Sequence, residues 1–229
     1  MTLGRPRTIT DEAILASLAR AISRVGPARL TLADVAAEAG IAAPTIAQRF
    51  GSKRSLLLAF ACRAPRQLED SFTRARASHA SPLAALLSDP LGASRAMDSP
   101  TALAHHLAFL QLELADPEFH QHVLEHARVA REQIRLLLEA AVERGELRPC
   151  DTKTLAQAIH VTYNGTLITW AIFRQGRLAL RLRRDLEFIL KPFRLLGPVR
   201  NALQPGQERE PDAVGMGERP GPSSQYLFR

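Results

Sequence analysis

The sequence predicts an all-α fold, and three observations carry that prediction. Leu and Ala dominate a hydrophobic content of 46%, while aromatics make up only 5%, a mix that favours packed helices over sheets. No segment of any length alternates apolar and polar residues, as a half-buried strand does. Apolar residues recur instead at spacings of three and four, between capping residues on one side and Gly or Pro on the other.

The first helix is expected at about 11–25. Thr10 is its N-cap, and Asp11 and Glu12 put carboxylates in the first turn, where the helix dipole favours them. Ile14, Leu18, Ile22 and Val25 form one stripe, and Gly26-Pro27 ends it. A second helix spans about 32–39, opened by Thr31 and Asp34 at capping-box spacing and stopped by Gly40. A third spans about 44–50, with Pro44 in the first turn, where a missing N–H costs nothing. Helices of eight and seven residues are too short to hold alone. They make sense as a helix-turn-helix braced on the first helix through Val35, Ile46 and Phe50. Further helices are expected at about 53–78, 83–88, 98–115, 118–144, 151–175 and 180–196.

Four segments follow from this pattern: a basic arm at 1–9, a helix-turn-helix at 10–52, a helical domain at 53–196 and a tail at 197–229. The tail is rich in Pro and Gly and is expected to be disordered, because it offers too little apolar surface to offset the entropy of ordering.

The formal net charge is +7. By itself this suits either nucleic acid or an anionic membrane surface. Its distribution is more telling: residues 1–60 hold eight Arg or Lys against four Asp or Glu, which favours DNA. The uncharged stretch from Leu155 to Phe173 contains Gln157, His160, Thr162, Asn164, Thr166 and Thr169. It reads as a helix buried between protein partners, not a membrane span. Cys62 and Cys150 stand alone, without disulfide or zinc spacing. The first twelve residues have no apolar run. The expected compartment is the cytoplasm.

The run from Leu30 to Ile41, followed by Ala42 to Lys53, resembles the TetR family of repressors. The likeness lies in Ala36, Ala39-Gly40-Ile41, Thr45-Ile46, Phe50, Ser52-Lys53 and Leu56-Leu57. More weakly, Gly145-Glu146-Leu147, Asn164-Gly165, Trp170 and a closing Leu/Phe helix look like the family's last two helices. The resemblance implies a homodimer that binds double-stranded operator DNA and is released by a small-molecule effector. It places the third helix in the major groove, with Pro44, Thr45, Gln48 and Arg49 at or near groove-facing positions. Thr31 and Lys53 match positions that commonly touch phosphate. Ala47 stands where the family often has Tyr, which removes an expected backbone contact. Arg5 and Arg7 in the arm are candidates for minor-groove contacts that compensate.

Other constellations compete with this reading. His122-Val123-Leu124-Glu125-His126 matches the H-x-x-E-H of inverted zinc peptidases, the basis for an alternative as a zinc-dependent hydrolase. No distant third ligand stands out, so neither catalysis nor a metal or cofactor is expected. His105-His106 and His160 lie on helices able to line a central cavity. His105, and the set Tyr163, Asn164, Thr166 and Trp170 around Gly165, are candidate ligand contacts, and dimer packing explains the Gly165 set equally well. A DNA-binding dimer without any effector is a further alternative. The leucines at 103, 107, 110 and 114, and the set Leu186, Leu190 and Phe193, read as core or dimer seam.

Overall fold

The computed structural model describes residues 9–89, 91–92, 97 and 99–195. Arg5, Arg7 and the tail at 197–229 lie outside the described residues. The architecture is all-α, as expected: among the described residues there is no strand, only one isolated antiparallel bridge between Leu147 and Arg194.

The helices are α1 (Asp11–Val25), α2 (Leu32–Ala39), α3 (Ala43–Phe50), α4 (Lys53–Ser78) and α5 (Pro82–Leu87). They continue with α6 (Pro100–Ala115), α7 (Pro117–Glu143), α8 (Thr152–Phe173) and α9 (Leu178–Leu190), and a 3-10 turn at Lys191–Phe193. Side-chain caps account for most starts. Thr10, Thr31, Ser52, Ser81, Ser99, Asp116 and Asp151 each accept a backbone N–H from the first turn of the helix that follows.

The last helix differs from expectation. It begins at Leu178 and stops at Leu190, where the sequence reading ran it from 180 to 196. Pro192 has no N–H to give, so the chain tightens into the 3-10 turn. Arg148 then donates its N–H to Phe193 O at 2.8 Å. Pro65, by contrast, sits inside α4 without ending it.

Two apolar clusters organise the helices. The first joins Ile14, Leu18, Val35, Ile46, Leu56 and Ala61 with Phe109 and Phe119 from farther along the chain. The second joins Phe72, Leu86, Leu103, Ile134, Leu138, Ile159, Trp170 and Leu186 with their neighbours. Helix α4 serves both: Leu56, Leu57 and Ala61 enter the first, and Leu68, Phe72 and Ala75 the second. Along α6 the expected leucine stripe grades outward. Leu103 is fully buried, Leu107 and Leu110 half-buried, and Leu114 exposed.

Candidate nucleic-acid interface and helical-domain contacts

The helix-turn-helix is held by local chemistry. Thr31 and Asp34 form a reciprocal capping box: Asp34 N donates to Thr31 Oγ1 at 3.1 Å, and Thr31 N and Oγ1 donate to Asp34 Oδ2 at 2.9 and 2.6 Å. Those bonds from Thr31 hold the Asp34 carboxyl below its ordinary pKa. The turn out of α2 needs a left-handed residue, and Gly40 supplies it with φ 67°.

Helix α3 then starts at Ala43 behind Ala42, which makes no side-chain cap. In its first turn Pro44 has no N–H to satisfy, and Thr45 N donates to Ala42 O at 3.0 Å. Ile46 is fully buried against the first cluster and fixes the rotation of α3. Pro44 and Gln48, one turn apart, are therefore exposed on the opposite side, with Thr45 half-buried beside them.

The basic candidates are partly engaged. Arg49 is exposed, yet its guanidinium pairs with Asp11 Oδ1 at 2.7 Å and donates to Ile9 O. Lys53 Nζ donates to Ala28 O at 3.0 Å, bracing the α1–α2 loop. Arg54, not singled out from the sequence, pairs with Asp116 and Glu118, each at 2.9 Å. Its guanidinium also lies 5.2 Å from the centre of the Phe119 ring. That ties the start of α4 to the corner between α6 and α7.

The five candidate ligand contacts reach five different partners. His105 Nδ1 lies 2.9 Å from Ser23 O and so donates to the last turn of α1. Tyr163 Oη donates to Asp89 Oδ1 at 2.7 Å, Thr166 Oγ1 to Asp185 Oδ2 at 2.9 Å, and Trp170 Nε1 to Gly176 O at 3.0 Å. All three of those side chains are buried. Asn164 is exposed and lies 3.4 Å from His160 Nε2. A shallow cleft of about 440 Å³ on α9, lined by Arg184, Asp185, Glu187, Phe188, Lys191 and Arg194, contains none of the five.

Near the H-x-x-E-H run, Glu125 is exposed and pairs with Arg128 at 3.7 Å, while His122 and His126 are half-buried. Among the described residues no three His, Cys, Asp or Glu side chains are grouped to hold a metal ion. His126 belongs electrically with two distant histidines. Burial first, then the nearby His160 and His106 rings, push its pKa down to about 4. Sequence spacing gave no sign of this grouping, which three separate helices assemble.

Residues 14–60 match the family model of bacterial regulatory proteins, tetR family. Over this stretch the chain is similar to that family. The match covers α1 to α3 and the start of α4. Comparison with curated proteins finds no match.

Most of the helical arrangement is similar to that of solved transcription regulators. A TetR transcription regulator from Haloarcula marismortui is 16% identical with a TM-score of 0.65, covering 81% of this chain and 98% of that one. SmeT, the repressor of a Stenotrophomonas maltophilia multidrug efflux pump, is 22% identical with a TM-score of 0.58, covering 89% and 98%. FadR from Bacillus subtilis, solved with stearoyl-CoA, is 20% identical with a TM-score of 0.57, covering 79% and 97%. At these identities the likeness is one of fold. Among the described residues no helix is long and apolar enough to cross a membrane.

Proposed function

We propose that this chain is a homodimeric transcriptional repressor that reads an inverted-repeat operator and lets go of it when a small molecule enters its helical domain. The reading is carried by one observation: an anchored helix-turn-helix whose α3 turns Pro44 and Gln48 outward while Ile46 is locked in the core. In this reading residues 10–52 read DNA, 53–196 bind effector and partner, and the arm at 1–9 adds Arg5 and Arg7. Thr31 and Lys53 flank α3 and contact phosphate; Thr45 and Gln48 reach base edges. Arg49, already paired with Asp11, contributes to phosphate only.

The dimer rests on α8 and α9. Val161, Ile168 and Ile172 form an exposed apolar stripe on α8, with Ile172 69% exposed; Leu180 and Phe188 do the same on α9, with Phe188 73% exposed. Gly165 lies in the α8 stripe, and open space stands where its Cβ would be, which suits close approach of a second helix. Apolar surface of this kind is a cost to a monomer and a seam for a dimer. SmeT is described as a repressor and FadR holds stearoyl-CoA, which supports repression and an effector here by fold-level analogy.

Footprinting on the DNA upstream of the chain's own gene, with light scattering in parallel, tests the proposal. We expect a protected site with two-fold symmetry and the mass of two chains. A monomer at micromolar concentration, or no protection of upstream DNA at low salt, contradicts it.

A further inference from the structure

Arg49 stands next to the last residue of α3, and its guanidinium holds the start of the chain. Nη2 pairs with Asp11 Oδ1 at 2.7 Å, and Nη1 donates to Ile9 O. Two local features fix the same segment. Thr10 caps α1 in extended backbone, at φ −80° and ψ 159°, and accepts from Ala13 N at 3.2 Å. Ile9 lies one residue before that cap and Ile14 four residues after it. This is the spacing of a hydrophobic staple, which sets the angle at which a chain enters a helix. Ile14 is fully buried in the first apolar cluster and Ile9 packs against it.

The chain ahead of α1 is thus anchored beside the C-terminal end of α3. Covalent reach then bounds the two arginines that precede the anchor. An extended chain covers at most about 3.6 Å per residue, so the Cα of Arg7 stays within roughly 7 Å of that of Ile9, and the Cα of Arg5 within roughly 14 Å. Base pairs stack at about 3.4 Å, so both cations reach only the few pairs next to those that α3 reads. Asp11 is 56% exposed, and a carboxylate there weakens binding to a phosphate backbone unless it serves the contact indirectly. Arg49 has N–H groups to spare: a guanidinium carries five donors, so the anchor and a phosphate contact are compatible.

We infer that Asp11 and Arg49 are positioning residues for DNA reading. They clamp Ile9 to the end of α3, so that Arg7 and Arg5 enter the minor groove beside each half-site and add a preference for A·T pairs there. A narrow A·T minor groove concentrates negative potential and attracts inserted arginine. This deepens the operator reading above and rests on it.

A binding selection on randomised DNA with the full chain supplies the operator, which is then made with its flanking pairs all A·T or all G·C. Affinities for both duplexes are measured for wild type, Asp11→Asn, Arg5→Ala with Arg7→Ala, and all three substitutions together. Charge alone predicts that Asp11→Asn, which removes a negative group, tightens binding. The clamp predicts the opposite: A·T-flanked DNA is bound about two- to fivefold more weakly, the scale of an exposed ion pair. The flank preference should fall to that of the Arg5→Ala, Arg7→Ala variant, and Asp11→Asn should weaken nothing further once those arginines are gone. A wild type indifferent to the flanks, an Asp11→Asn variant that binds as tightly as wild type or tighter, an equal loss on both duplexes, or a loss that persists without the arm arginines overturns the clamp and leaves the operator reading standing. A wild type that selects no inverted repeat overturns the operator reading and the clamp with it.

Discussion

Gly26 is held at φ 77° and ψ 157°, a region that only glycine occupies at ease, and a Cβ there would stand 2.8 Å from His105 Cδ2. The imidazole lies over the end of α1 and fills one of its open carbonyls. Gly26→Ala should therefore destabilise the fold by about 1–3 kcal/mol, a fall of roughly 2–12 °C in melting temperature for a chain this size. Adding His105→Ala should recover the steric part and leave the backbone part, a coupling that a double-mutant cycle reads directly. Strictly additive losses would show that the two residues do not meet. A second residue-scale test concerns Glu113, 9% exposed, whose pKa burial raises to about 7. The unfolded chain ionises near the ordinary value of 4.5 and the folded one near 7. The neutral carboxyl is thus tolerated below 4.5, and stability is lost as pH rises through 7. Glu113→Gln should flatten that loss and stabilise the chain at pH 8 by on the order of 2 kcal/mol. Unchanged denaturation midpoints at pH 5 and pH 8 would contradict this.

At the scale of elements, capping and spacing located the helices well because those signals are local. Thr31 with Asp34, Gly40 and Pro44 marked the helix-turn-helix, and each cap lies within three residues of what it satisfies. Thr31→Ala should cost about 1 kcal/mol and Thr31→Ser far less, measured by urea denaturation; equal losses would deny the cap its role. The misread end of α9 is local too. The Leu186, Leu190 and Phe193 stripe suggested continuation, and Pro192 overrode it. Contacts between distant elements were not legible. Tyr163, Thr166 and Trp170 looked like pocket residues because their polar atoms cluster near Gly165. Their acceptors come from the α5–α6 connection, from α9 and from the α8–α9 turn, which no spacing rule on α8 foretells.

For the whole molecule, the two apolar clusters share α4, and Phe109 and Phe119 carry the far end of the chain into the first cluster. A movement of α6 is thereby felt at α1 through His105 and at α4 through Arg54 and its partners Asp116 and Glu118. In the proposed regulator these contacts are the route by which an occupied helical domain would shift the helix-turn-helix between two arrangements. In the proposed dimer the seam sets the spacing between the two copies of α3, so Ile172→Arg with Phe188→Arg should yield a folded monomer that has lost operator affinity. A double variant that remains dimeric by light scattering would place the seam elsewhere. The most direct test of how DNA is read is a binding selection on randomised DNA, with the wild type, Gln48→Ala and Lys53→Ala. The account predicts inverted half-sites separated by about one helical turn, roughly 34–36 Å, or a multiple. Gln48→Ala should lose preference at one position per half-site, costing about 1–3 kcal/mol. Lys53→Ala should weaken all sequences alike and lower the salt slope by about 1 per half-site. A selected site without two-fold symmetry, or a Gln48→Ala profile identical to wild type, would contradict it.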